Sequence, residues 1–148
     1  MTGKDPAGLK DRKDGKMGTF QTLEEARAYF QKDRFATENG MVLEEFGEDF
    51  AVCGMTLGER HKNANGGIMG GVIFTIADFA FAVLANQIHM PTVAQQVSIN
   101  YLGAPRGERL IARSTCKKNG RTSTVINVEV SDDTGRDVAQ FVGTGFKL

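Results

Sequence analysis

The amino-acid pattern predicts an α+β chain, an antiparallel sheet wrapped around one long buried helix. Residues 69 to about 87 are apolar nearly all round, so a helix there must be enclosed on most of its sides. After Pro91 the hydrophobic period changes to two and holds to the end of the chain. Residues 92–102, 108–118, 121–131 and 137–147 each alternate as strands do. Two turn signals, Asn119-Gly120 and 132–135, separate the last three, and the whole tail reads as an antiparallel meander. Curling that sheet around the helix is the simplest way to cover it.

The elements have local causes, taken in order. Residues 1–16 mix Lys, Asp and Gly without an apolar stretch, so neither a signal nor a transit peptide is read there. Residues 1–18 are expected to form a flexible or disordered tail, and 19–148 one packed domain. With 148 residues, 41% of them hydrophobic, one sizeable core is within reach and a second domain is not expected. A helix is predicted over 23–35, because Thr22 and Glu25 have the spacing of a capping box and Leu23, Ala26 and Phe30 recur on one face. Asn39-Gly40 stops it. From 41 to 57 the pattern alternates, with Ala51, Cys53, Met55 and Leu57 on one face and Phe50, Val52 and Thr56 on the other. One or two strands bent near Gly47 are expected, followed by a polar loop over 58–67.

Composition narrows the function. The 18 basic and 18 acidic side chains cancel, so no overall field draws the chain to nucleic acid or to an anionic membrane surface. The apolar run 68–85 raises the question of a membrane span, but Asp78 sits inside it. An Asp near a bilayer centre costs about 2.5 to 3.5 kcal/mol, which favours a buried helix. Cys53 and Cys116 lack metal-ligand or redox spacing and read as thiols in a reducing, cytoplasmic compartment. His61 and His89 are the only histidines, which does not support a zinc site, and no metal or cofactor is expected.

From 63 to 105 the sequence holds one carboxylate, Asp78, and no Lys or Arg. A carboxylate inside an apolar helix loses hydration. It is either a structural group held by hydrogen bonds or a group kept at a perturbed pKa for proton chemistry. Upstream, Asn65-Gly66-Gly67-Ile68-Met69-Gly70-Gly71 runs straight into the helix. Glycines in a first turn leave its unpaired N–H groups uncovered, which suits a phosphate or the oxyanion of acyl transfer; they also serve turn geometry and close packing. Met69 and Asp78 lie about 13 Å apart along a straight helix and half a turn apart in facing. Acting on one carbonyl therefore requires two protomers, each helix start beside the other's Asp across a two-fold interface.

Residues 61–78, His-Lys-Asn-Ala-Asn-Gly-Gly-Ile-Met-Gly-Gly-Val-Ile-Phe-Thr-Ile-Ala-Asp, resemble the active-site segment of PaaI-like hotdog-fold thioesterases. That pattern is Asn, five residues, His-Gly-Gly, and an Asp seven after the last Gly. The resemblance extends over 23–148, including the order of elements and Gly-Arg-Thr at 120–122. It implies a hotdog fold, a homodimer or dimer of dimers, and metal-free hydrolysis of acyl-CoA or aryl-CoA thioesters. On this resemblance Asp78 takes the place of the general base or nucleophile. Gly70 polarises the thioester carbonyl through its backbone N–H, and Asn63 matches the Asn that orients water or substrate. Asn65 has no implied role beyond the turn.

Two departures stand out. The family His is Met69 here, and a Met side chain donates neither a hydrogen bond nor a proton. Near Ala94, where some relatives carry a hydroxyl, the polar candidates are Thr92, Gln95 and Gln96. Met69, Gly71, Thr92, Gln95 and Arg121 complete the expected substrate-binding set. Arg121, with Lys117, Lys118, Arg106 and Arg109, could pair with CoA phosphates or simply solvate a hairpin tip. Phe74, Phe79 and Phe81 read as core or as the wall of an acyl pocket. Two rival functions stay open: an acyl hydratase or dehydratase, whose chemistry usually needs a His, and a non-catalytic acyl-CoA binding or sensing domain, which Met69 favours.

Overall fold

The computed structural model describes residues 18–148, so the expected tail, 1–18, lies outside the described residues except for Gly18. Two short helices, α1 (Leu23–Phe30) and α2 (Arg34–Glu38), precede strands β1 (Val42–Phe46) and β2 (Phe50–Thr56). A single 3-10 turn (Glu59–His61) leads to the long helix α3 (Gly70–Ile88), and strands β3 (Thr92–Tyr101), β4 (Arg109–Asn119), β5 (Ser123–Asp132) and β6 (Asp137–Lys147) follow.

The six strands form one antiparallel sheet in the order β1-β2-β4-β5-β6-β3, curled so that α3 packs on every one of them. Ile76, Ala77, Ala80, Val83, Leu84 and Ala85 of α3 are wholly buried. This is the hotdog architecture the sequence predicts. α3 is long and apolar enough to cross a membrane, but over half of it is covered by the chain's own sheet. The sheet approaches closely at Gly143, where a Cβ would stand 2.7 Å from the Phe81 ring.

Three expectations are corrected. The predicted helix over 23–35 is two helices. Its start is as expected, with Thr22 Oγ1 accepting from the Glu25 N–H at 3.1 Å, but Glu25 reaches back to the Gln21 N–H instead of that of Thr22. The chain turns at 31–33, which lets both Phe30 and Ala36 reach the core. The four later strands are not one meander: β4, β5 and β6 are, while β3 pairs with β6 at the far edge. α3 lies across the concave face and delivers the next strand to that edge. Finally, the β4–β5 tip is Arg121-Thr122, with the Gly120 N–H bonded to the Ser123 carbonyl at 2.8 Å. A bulge between Cys116 and Lys118 shifts the register away from an Asn119-Gly120 turn.

Two buried polar groups tie loops to this frame. Gln87, at the end of α3, accepts from the Phe20 N–H at 2.7 Å and donates to the Phe20 carbonyl at 3.1 Å. Asp132 accepts from the backbone of Arg106, Gly107, Thr134 and Arg136 and from the Thr134 hydroxyl, joining the β3–β4 and β5–β6 loops. Gly135, at φ +89°, completes the second of these in the left-handed region that glycine tolerates.

Candidate active site

Asp78 sits midway along α3 and is half-buried. Thr75, Asp78, Phe79 and Ala82, three and four residues apart, share one face of the helix. They form one wall of a cleft of about 300 Å³. The other wall is Asp33, Arg34, Phe35 and Ala36, carried there by the turn after α1. Among the described residues no group donates a hydrogen bond to the Asp78 carboxylate. Burial raises its pKa above the usual carboxylate range, and the charge of Asp33 pushes the same way. The cleft thus holds a carboxylate of enhanced basicity beside the apolar Phe35, Ala36, Phe79 and Ala82.

The start of α3 is open. Met69 occupies the N-cap position in extended conformation, more than half exposed, and its side chain caps nothing. The Val72 N–H turns back to the Met69 carbonyl at 3.0 Å, whereas the Gly70 and Gly71 N–H groups have no backbone acceptor among the described residues. These are the orphan donors of a helix terminus. Tyr101, at the end of β3, lies over Gly70 and donates its hydroxyl to the Gly70 carbonyl at 3.2 Å.

The preceding loop is held by Asn63. Its side-chain oxygen accepts from the N–H groups of Asn65 (2.9 Å) and Gly67 (3.1 Å), and its own N–H reaches the Gly67 carbonyl at 2.7 Å. Only the amide NH2 of its side chain remains for water or substrate. His61 is buried as a packing residue, with Nδ1 accepting from the Gly58 N–H and Nε2 facing the Asn39 carbonyl.

Within one chain the remaining expected residues lie apart. Gly71 is exposed beside the Met69 side chain. Thr92 is buried in the joint between α3 and β3, its N–H on Asn86 and its hydroxyl on the His89 carbonyl. Gln95 is exposed at the β3 bulge, and Arg121 is exposed at the β4–β5 tip. Thr92 and Arg121 stand where β3 begins, and Gly70 and Tyr101 where it ends, roughly 30 Å of strand away. Phe79 is buried and lines the cleft, Phe81 is core, and Phe74 packs on Phe141.

Sequence reasoning missed Asp33 and Tyr101. Asp33 falls inside the segment predicted as continuous helix, where an acidic residue reads as surface. Tyr101 ends an alternating strand and gives no signal of its contact with the first turn of α3. A larger cleft, about 560 Å³, lies on the sheet face away from α3. Its outward side chains, such as Ser98, Asn100, Thr115 and Asn127, are exposed and polar, and it brings no buried reactive group to a ligand.

The thioesterase superfamily model matches residues 65–139. The chain is 28% identical to acyl-coenzyme A thioesterase PaaI of Escherichia coli strain K12, over 88% of this chain and 94% of that protein. The PaaI structure superposes with a TM-score of 0.79 at 27% identity, over 84% of this chain and 91% of that one. A hypothetical thioesterase protein of Streptococcus pneumoniae TIGR4, solved with coenzyme A, gives a TM-score of 0.73 at 26% identity, over 79% and 94% of the two chains. Protein smu.793 of Streptococcus mutans UA159, bound to acetyl CoA, gives 0.69 at 26% identity, over 72% and 87%. With that model matching half of it, and a fold shared with PaaI over most of both proteins, the chain belongs to the thioesterase superfamily as a PaaI-like hotdog-fold thioesterase.

Proposed function

We propose that the substrate is an acyl-CoA or aryl-CoA thioester, hydrolysed to free acid and CoA by a homodimer or dimer of dimers. Asp78 of one protomer and the Gly70 N–H of the other then act on one carbonyl. The observation that carries this reading is the Asp78 carboxylate, which receives no hydrogen bond among the described residues, lines a partly apolar cleft and has raised basicity. Neighbours of similar fold solved with coenzyme A and acetyl CoA support CoA as the carrier.

As general base, Asp78 takes a proton from water while the water oxygen attacks the thioester carbonyl carbon. The carbonyl oxygen becomes an oxyanion at the Gly70 N–H. Collapse breaks the C–S bond, and the proton on Asp78 passes to the departing thiolate. As nucleophile, the same carboxylate attacks the carbonyl carbon, the C–S bond breaks to release CoA thiolate, and water hydrolyses the resulting mixed anhydride to free acid and the regenerated carboxylate. One oxyanion donor is worth about 3 to 4 kcal/mol, so the helix start retains catalytic value with Met69 in place of a His.

The dimer is supported by the outer edge of β3, which has no strand beside it among the described residues, and by the exposed apolar side chains Met69, Val93, Tyr101 and Leu102 along it. Antiparallel pairing of β3 with its copy would bring opposite strand ends together. Gly70 and Asn63 would then approach the partner's cleft, with Thr92 and Arg121 near the partner's helix start. A cytoplasmic setting fits the two unpaired thiols, Cys53 and Cys116.

The test is free-thiol release from short, medium, long and aromatic acyl-CoAs by the wild type and Asp78→Ala, with sedimentation to read the oligomer. Turnover that disappears in the variant is expected. A ligand-induced rise in melting temperature without turnover in the wild type would replace hydrolysis by a binding role.

A further inference from the structure

We propose that Asp33 is a second carboxylate of the active site, a positioning residue whose charge acts on Asp78 through the cleft they share. This rests on the hydrolytic reading of Asp78.

Asp33 stands at the N-cap position of α2, with φ −76° and ψ 72°. A carboxylate there ordinarily accepts a hydrogen bond from a first-turn N–H, and this one makes no such bond. It lines the cleft opposite Asp78 instead. It lies at the end of the turn, 31–33, that separates α1 from α2.

The other charged group lining the cleft is Arg34. It does not serve as counter-ion, because its Nε donates to Glu38 at 2.6 Å and its Nη2 contacts the same carboxylate one turn along α2. Lys32 lies over the Tyr29 ring, and Glu44 on β1 is paired with Arg109. From α3 itself the cleft receives Thr75, Phe79 and Ala82, and from α2 also Phe35 and Ala36, all uncharged. Asp33 and Asp78 therefore face each other as like charges, and ionising one disfavours ionising the other. Both carboxyls are displaced toward higher pKa, Asp33 by partial burial and Asp78 by burial and by Asp33. A base with greater proton affinity takes a proton from water more readily, at the expense of its ionised fraction in acid.

The experiment pairs 13C NMR titration of the two carboxyls with the pH profile of kcat/KM, in wild type and Asp33→Asn. Asn keeps the size of Asp and its capping ability. The expected result is that the Asp78 midpoint and the acid limb of the profile both move to lower pH, while the plateau falls severalfold, so the two profiles cross. A plateau that falls with the acid limb unmoved would mean Asp33 is merely structural and overturns the proposal. The wild type alone gives a second test: coupled two-step titration of the pair is expected, and independent single-site curves overturn the proposal even if the variant does not fold. Coupled titration with no thiol release from any acyl-CoA would uphold the pair and overturn its catalytic use, so the two readings fail separately.

Discussion

Tyr101 closes over Gly70: its hydroxyl donates to the Gly70 carbonyl at 3.2 Å, and a Cβ added at Gly70 would meet its ring at 3.4 Å. The contact ties the end of the edge strand β3 to the first turn of α3. The Gly70 N–H takes no part in it and has no backbone acceptor among the described residues.

Gly70 therefore offers a clean separation of fold from chemistry. Pro is tolerated at the first position of a helix, and Met69 already has the extended conformation that a following Pro requires. Gly70→Pro should fold with little change in melting temperature and lose about 10²- to 10³-fold in kcat, because the oxyanion donor is gone. Gly70→Ala keeps the N–H, places its Cβ at ordinary contact distance from Tyr101, and should stay close to wild-type turnover.

Asp78 should oppose folding at neutral pH. Its folded-state pKa is raised by burial and by Asp33, so the unfolded chain holds the ionised form more favourably. The penalty is full above the folded pKa and vanishes below the unfolded one. Asp78→Asn should accordingly melt higher than wild type at pH 7.5, with the gap closing as pH falls, while turnover is lost. Thermal melts across a pH series check the sign.

Asp132 behaves in the opposite sense. The Thr134 hydroxyl and the backbone N–H groups of Arg106, Gly107 and Arg136 hold its pKa well below the usual range, outweighing its burial. Its contribution to stability is present above the unfolded pKa of about 3.9 and is lost as pH falls toward the folded value. Asp132→Ala should lower the melting temperature at pH 7, and the difference from wild type should narrow below about pH 4.

Gln87→Met removes the side chain that satisfies both backbone groups of Phe20. Two orphaned buried groups should cost about 2 to 4 kcal/mol in chemical denaturation. Amide exchange at Phe20 should quicken more than exchange in the β4–β5 hairpin.

Much of the fold is legible because its causes are local. The span of α3 follows from a run of apolar residues, and β6 from period-two alternation that begins and ends where the strand does. Asp78 is conspicuous because nothing else charged lies between 63 and 105. Asp33 is not, because several other charged residues stand in 23–38 and a turn at 31–33 has no Gly or Pro to announce it.

By itself the sequence determined the long apolar helix, the number and phase of the later strands, the isolated carboxylate and the uncovered helix start, all matters of local periodicity and composition. Only the tertiary structure decided that β3 pairs with β6, that the first helix breaks after Phe30, and that Asp33 comes to face Asp78. The reason is physical. Every strand offers the same backbone donors and acceptors, so partner choice is settled by how the sheet must curl to bury α3, and the cleft forms where α2 is pressed against that helix.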